Sequence, residues 1–384
     1  MVWRENSVNK ERMLFISEWL KKEHKFNELC ERFGISRKTG YKWVNRYNSE
    51  GESALLPRTS APHHCPHKTD NMVIEKILAY KYRYPTWGPM TLKAKLEKDY
   101  PLIVWPAVST MGEILKEHGL VKPRRKRRKT PPYSEPFLTC NAPNKVWSAD
   151  FKGQFKLSNG KLCYPLTITD NYSRLIIACE ALPDIKVTGV IPVFKRVFQE
   201  YGLPEAIRTD NGTPFSSTSP GGLSQLSLWW LKLGIKPERI KAGRPDQNGR
   251  HERMHRTLKE ATCNPPADSM RAQIKRFKKF VHEFNYERPH QGINQRLPSD
   301  CHLKSSREYT GEFSEITYPD NFVIRKVRSN GEIKWQGKLI YVSELFYGEP
   351  VGLEPIDEDR ALLSYSSVKL GMVDLKKRKL IRPR

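Results

Sequence analysis

The chain has 384 residues, enough for two or more domains and a sizeable buried core. Its 67 Lys and Arg against 42 Asp and Glu leave a formal net charge of +25, which calls for a polyanionic partner. No stretch reaches the roughly 20 apolar residues of a membrane span, Lys21, Lys22 and Glu23 break up any secretory pattern, and the 7 cysteines contain no Cys-x-x-Cys pair. Together these point to a reducing, cytoplasmic setting without disulfides or membrane.

In chain order, Met13, Phe15, Ile16, Trp19 and Leu20 predict a helix over 11–22. Asn27 reads as the cap of a short helix stopped by Gly34, and Ser36 as the cap of a basic, aromatic helix over 37–47. Two short helices around a glycine turn make a helix-turn-helix pattern within 1–50, with Arg37, Lys38, Lys42 and Arg46 toward DNA. A plain helical hairpin with solvated lysines is the blander alternative. Residues 51–68 read as a linker, and His63, His64, Cys65 and His67 lack the second spaced ligand pair of a zinc site. Helices over 70–84, 90–98 and 109–118 follow, the last capped by Ser109 and stopped by Gly119, giving a second helical domain at 69–121.

Residues 122–143 form a basic linker. Arg124, Arg125, Lys126, Arg127, Arg128 and Lys129 are consecutive cations that cannot pack in a core and suit a DNA-tracking segment. From Lys145 the period shortens: strands over 146–155, 162–169 and 175–181, with a hairpin turn at Asn159-Gly160, then a helix over 187–201 and a strand over 206–209. Asp150 falls within the first strand and Asp210 at the end of the last. A loop rich in Ser, Thr, Pro and Gly spans 214–222, and helices are predicted over 223–233 and 270–285. Between them Asp246 caps a helix on which Glu252, Arg256 and Lys259 share one face, while Met254, Leu258 and Ala261 share the opposite, buried face. His251 and His255 flank the glutamate and read as helix surface or DNA contacts, with a metal or acid–base role as the alternative. Short strands from 322 to 373 and the basic tail Lys376 to Lys379 close the chain at 314–384.

Trp147-Ser148-Ala149-Asp150, Thr209-Asp210-Asn211-Gly212, Asp246-Gln247-Asn248-Gly249-Arg250-His251-Glu252-Arg253 and Tyr286-Glu287-Arg288-Pro289-His290-Gln291-Gly292 occur in order. Taken together, they resemble the integrase core of insertion-sequence transposases of the retroviral-integrase-like DDE superfamily. The resemblance covers about 144–298. It implies a multidomain protein with α-helical helix-turn-helix modules, an α/β ribonuclease-H-like catalytic core at 144–305 and a C-terminal SH3-like small β-barrel. The 41 residues between Asp210 and Glu252 exceed the family's usual gap and fit an enlarged loop.

The resemblance further implies a DNA transposase that cleaves 3′ ends and transfers strands, with Asp150, Asp210 and Glu252 as catalytic metal ligands. Two divalent ions roughly 4 Å apart, Mg²⁺ or a Mn²⁺ substitute, would activate the nucleophile and stabilise the leaving oxygen. Asp150 would bridge them, with Asp210 on one and Glu252 on the other. Arg256 and Lys259 would hold the phosphate backbone, with Asn211, Gln247 and Asn248 as further DNA contacts. Asp170, in Thr-Asp-Asn-Tyr-Ser-Arg, competes by position but reads as a turn cap that Arg174 could pair. Expected partners are double-stranded terminal repeats, target DNA and at least one further protomer, in a prokaryotic, nucleoid-associated setting. A non-catalytic DNA-binding regulator with a degenerate core is the alternative, and a nuclease without strand transfer a weaker one.

Overall fold

The computed structural model describes residues 8–56, 69–121, 139–240 and 249–382. They fall into two compact units, Met1–Thr69 and Asp70–Arg384. In the first, α1 (Val8–Lys21), α2 (Phe26–Arg32) and α3 (Arg37–Glu50) enclose Phe15, Ile16, Leu29, Cys30, Val44 and Leu55. Ser36 Oγ accepts the Thr39 N–H at 3.2 Å, as its cap position predicts. The cap of α2 is Lys25 rather than Asn27, because Phe26 already packs on Phe15 and Glu28 turns back to the Lys25 N–H at 3.4 Å. A Cβ on Gly40 would lie 2.7 Å from Cys30 Sγ, so the crossing of α2 and α3 needs a residue without one.

The second unit begins with α4 (Asn71–Arg83), α5 (Pro89–Asp99) and α6 (Val108–Glu117), packed around Ile77, Trp87, Leu92, Leu96, Met111 and Leu115. Asp70 caps α4 through the Met72 N–H at 2.7 Å. Helix α6 starts from Ala107, just after Pro106, so Ser109 lies in its first turn and is not the cap.

A mixed sheet follows. β1 (Val146–Phe151) is flanked by antiparallel β3 (Leu162–Asp170) and parallel β5 (Ala206–Thr209). Short β2 (Phe155–Lys156) and β4 (Ile176–Leu182) both pair with β3, and β6 (Lys236–Arg239) pairs with β5. The strand predicted over 146–155 is broken at Gly153, whose φ is +85°. One face carries Trp147, Ala149, Leu166, Ile168 and Ile207 under α7 (Val187–Tyr201) and α8 (Gln225–Lys232). The other is covered by α9 (Gly249–Thr262) and α10 (Met270–His282) through Met254, Leu258, Phe277 and Phe280. This is the ribonuclease-H-like arrangement expected of an integrase core.

The remaining strands are β7 (Val323–Lys326), β8 (Glu332–Trp335), β9 (Lys338–Tyr341), β10 (Pro350–Pro355), β11 (Arg360–Tyr365), β12 (Val368–Asp374) and β13 (Lys379–Ile381). Their pairing is an open five-stranded sheet, β13-β12-β11-β10-β7, with β8 and β9 as a separate ribbon. The ribbon lies beside both sheet edges, β7 and β13, but among the described residues no backbone ladder closes the ring. Leu223, Leu228 and Leu231 join Leu353, Leu363 and Leu370 in this core, so α8 is shared between two cores.

Candidate functional site

Strand parity decides which way the first acid points. Trp147 and Ala149 face α7 and α8, so Ser148 and Asp150 face α9. Asp150 is opposite Thr167 on β3. On the other side Ser148 pairs with Arg208, and continuing that parallel register by two residues sets Asp150 beside Asp210 at the ends of adjacent strands. Asp210 Oδ1 accepts the Gly212 N–H at 3.0 Å, and a Cβ on Gly212 would lie 3.0 Å from Asp210 Oδ2. Behind this row Arg208 and Glu238 form a buried cross-strand pair at 2.9 Å.

Glu252 is exposed on α9, as are Arg256 and Lys259. The buried face of the helix is His251, Met254, His255, Leu258 and Thr262. Ala261, expected on that face, is exposed: the buried row 254, 258, 262 follows the four-residue spacing to its end. The charges of the other two acids reach Asp150. The Asp150 carboxyl is raised to about 7, first by burial, then by the charge of Asp210, with Glu252 adding to it and a hydrogen bond from the Phe151 backbone opposing it.

His251 and His255 are the larger correction: both are buried at the sheet, at 1 % and 7 % exposure, and neither is a surface or DNA contact. Sheet hydroxyls make this possible. Thr167 Oγ1 lies 2.7 Å from His251 Nε2 and 2.6 Å from His255 Nε2, and donates to the Asp150 carbonyl at 3.1 Å. With its single proton on that carbonyl, both imidazoles carry theirs on Nε2. His251 Nδ1 then accepts from Thr169 Oγ1 at 2.9 Å, and His255 Nδ1 faces Asp150 Oδ2 at 3.8 Å. Burial holds His251 well below the usual histidine range and, with the charge of Lys152, presses His255 to about 3. Ligand atoms of Asp150, His251 and His255 lie within 4.8 Å of one another, but the threonine bonds engage both nitrogens of His251 and Nε2 of His255. Neutral and fixed, the imidazoles back Asp150 without acting as its counter-ions.

Asp170 contrasts with these. It is 1 % exposed, and its carboxylate accepts from the Ser173 N–H (2.8 Å), Ser173 Oγ (2.6 Å) and the Asn144 N–H (3.1 Å). Arg174 does not ion-pair with it among the described residues and lines a cavity beside α9.

Of the DNA contacts expected from sequence, Arg37, Lys38 and Lys42 are exposed on α3, while Arg46 is half-buried 5.0 Å from the Trp43 ring. These sit in the first unit and the acids in the second. The Asn211 amide donates to the Ile240 carbonyl at 2.8 Å, although the residue is exposed. Gln247, Asn248, the Asp246 cap, the run Arg124 to Lys129 and the cluster His63, His64, Cys65 and His67 lie outside the described residues. The 214–222 loop is packed, with Phe215 and Pro220 buried.

Comparison with known proteins gives integrase core domain matches over residues 141–245 and 233–298. A helix-turn-helix domain matches 11–63, a homeodomain-like domain 39–115 and the C-terminal domain of IS481 family transposases 322–380. A 31.7 kDa protein of insertion element IS407 from Burkholderia multivorans is 30% identical over 198 residues, covering 50% of this chain and 67% of that protein. A 39.2 kDa protein of insertion element IS476 from Xanthomonas euvesicatoria is 26% identical over 188 residues, 48% of this chain and 52% of that one. Among solved structures, the HTLV-2 integrase catalytic core domain in complex with magnesium aligns with a TM-score of 0.34 and 17% identity, over 42% of this chain and 98% of that domain.

Proposed function

Because the chain belongs to the insertion-sequence transposases of the integrase superfamily, we propose that it performs metal-dependent 3′-end cleavage and strand transfer of an insertion element into target DNA. The observation that carries this reading is the setting of Asp150, whose carboxyl is raised to about 7 by burial, with the charges of Asp210 and Glu252 adding to it. Such crowding stabilises an arrangement only when cations neutralise it, and carboxylates supply the hard oxygen donors that Mg²⁺ or Mn²⁺ takes.

Asp150, which feels the charges of both other acids, would hold the ions together with Asp210 and Glu252. The bound ions would lower the cost of charge on the attacking and leaving oxygens. Arg256 and Lys259, exposed on the helix that carries Glu252, hold the DNA backbone, and Asn211 borders the same edge. His255, held neutral by burial, walls the site behind Asp150 without bonding to its carboxyl. The helix-turn-helix modules at 1–50 and 69–121 select terminal repeats, and the basic run Arg124 to Lys129, with Gln247 and Asn248, adds phosphate contacts. The C-terminal sheet and ribbon are a splayed form of a small barrel, and paired ends require more than one protomer.

Incubating the protein with Mg²⁺ and labelled element-end DNA tests the reading. Joined product is the expected result. Cleavage alone reduces the protein to a nuclease, and binding without either leaves only the regulator reading.

A further inference from the structure

Beside α9 lies a cavity of about 320 Å³ lined by five arginines, Arg174, Arg250, Arg253, Arg256 and Arg288. Among the described residues its only lining carboxylate is Asp170, which is 1 % exposed and bonded to Ser173 and Asn144. Nη1 of Arg174 is buried with no hydrogen-bond partner among the described residues. Burial, followed by the charges of its neighbours and chiefly Arg250, presses Arg174 down to about 10, so it stays protonated in a like-charged setting. Arg250 is anchored by donating to the Asn171 carbonyl at 3.2 Å, and Arg288 lies over the Phe284 ring at 5.8 Å with Glu283 and Glu260 as distant counter-charges. His290 is held near 4 by burial, and the charges of Arg288 and Arg174 press it the same way. Converging guanidiniums with a partnerless buried N–H make a receptor for an oxyanion, since planar forks bind tetrahedral phosphate through paired hydrogen bonds. The volume, roughly ten waters' worth, takes a phosphate together with its sugar.

We infer that this cavity is a binding pocket for a backbone phosphodiester of DNA. The inference rests on the DNA-transfer reading for the identity of its ligand. Arg253 sits about 100° around α9 from Glu252, so a strand gripped in the pocket is indexed, through one rigid helix, to the acids on the neighbouring face. Phosphates are the ligand chemistry a chain of net charge +25 encounters on DNA.

The test compares full-length wild type with Arg174→Gln and Arg253→Gln, the second an exposed site whose replacement leaves the core intact. Labelled duplex is titrated across about 50–200 mM salt, and thermal melting is followed with and without inorganic phosphate. Each variant should bind duplex about tenfold more weakly, with the log–log salt slope shallower by about one. Inorganic phosphate should raise the melting temperature of wild type and not of the variants. Unchanged affinity and slope in Arg253→Gln overturns the proposal, even if Arg174→Gln fails to fold. Phosphate stabilisation lost in the variants, with duplex binding unaffected, overturns it too, because the pocket then serves a free anion. Wild type that binds duplex and loses slope in the variants yet makes no joined product sinks the transfer reading and leaves the pocket standing.

Discussion

Asp150 and Asp170 sit on adjacent strands of one sheet and have opposite surroundings. Asp170 is sealed from water, and three donors from Asn144 and Ser173 converge on its carboxylate. Asp150 is 18 % exposed and meets two other acids and a pair of neutral imidazoles. A carboxylate surrounded by donors is a structural brace. One surrounded by carboxylates is an unfinished site that a cation completes. What distinguishes them is the count of N–H and O–H groups aimed at the oxygens, which proximity along the chain does not reveal.

Substitutions at the two positions should therefore separate cleanly. Asp150→Asn should lower joined product about a thousandfold or more, equivalent to about 4 kcal/mol, while duplex affinity in a binding titration stays within a factor of about two. Retained activity would remove Asp150 from the metal assignment. Asp170→Ala should instead cost about 3 kcal/mol of stability in urea unfolding, because it strands buried donors. A stable variant that loses only activity would turn Asp170 into the functional acid.

Thr167→Val tests the wall behind Asp150. It leaves two buried imidazole N–H groups without an acceptor and should destabilise by about 2 kcal/mol, with a change in the histidine NMR shifts as the direct readout. A further effect is one of pH. The folded Asp150 carboxyl, near 7 against an ordinary 3.8, holds a proton that unfolding releases. Its contribution to metal-free stability is therefore full below about pH 4 and lost as pH rises through 7. Asp150→Asn should be more stable than wild type by up to roughly 4 kcal/mol at pH 8 and show no such gain at pH 4. Stabilisation by Mg²⁺ should correspondingly grow between pH 6 and 8, since the proton must leave. A wild-type profile identical to that of the variant would contradict the crowded-acid account.

Much of this was legible in the sequence where local rules act alone. The Ser36 cap, the helix at Val187–Tyr201 and the strand at Ala206–Thr209 all appear where their patterns put them. Strand β6 was missed because Lys-Pro-Glu-Arg has no strand pattern: it is an edge strand that tolerates Pro237, and its Glu238 is inward only because Arg208 waits on β5. Strand β13 was hidden in a run of lysines and arginines that reads as a tail. His251 and His255 were assigned to the surface because histidine counts as polar, and the partners that bury them, Thr167 and Thr169, lie more than eighty residues away. The arginine cavity gathers residues from 169 to 292 and has no sequence signal at all. The order of the motifs carried the acids; only folding supplied their neighbours.

Helix α8 gives Trp230 and Leu226 to the core beneath β1 and Leu228 and Leu231 to the core of the C-terminal sheet. Lys232 reaches Glu349 at 2.8 Å, and Arg382 donates to the Thr218 carbonyl in the loop that follows Asp210. The C-terminal region is thus no detachable module. A chimera exchanging it between related elements would have to carry α8 and the 214–222 loop along, and a fragment truncated near residue 305 would expose leucines and slacken the backbone next to Asp210. Inactivity of such a fragment would then report a missing buttress and say nothing against the acids themselves.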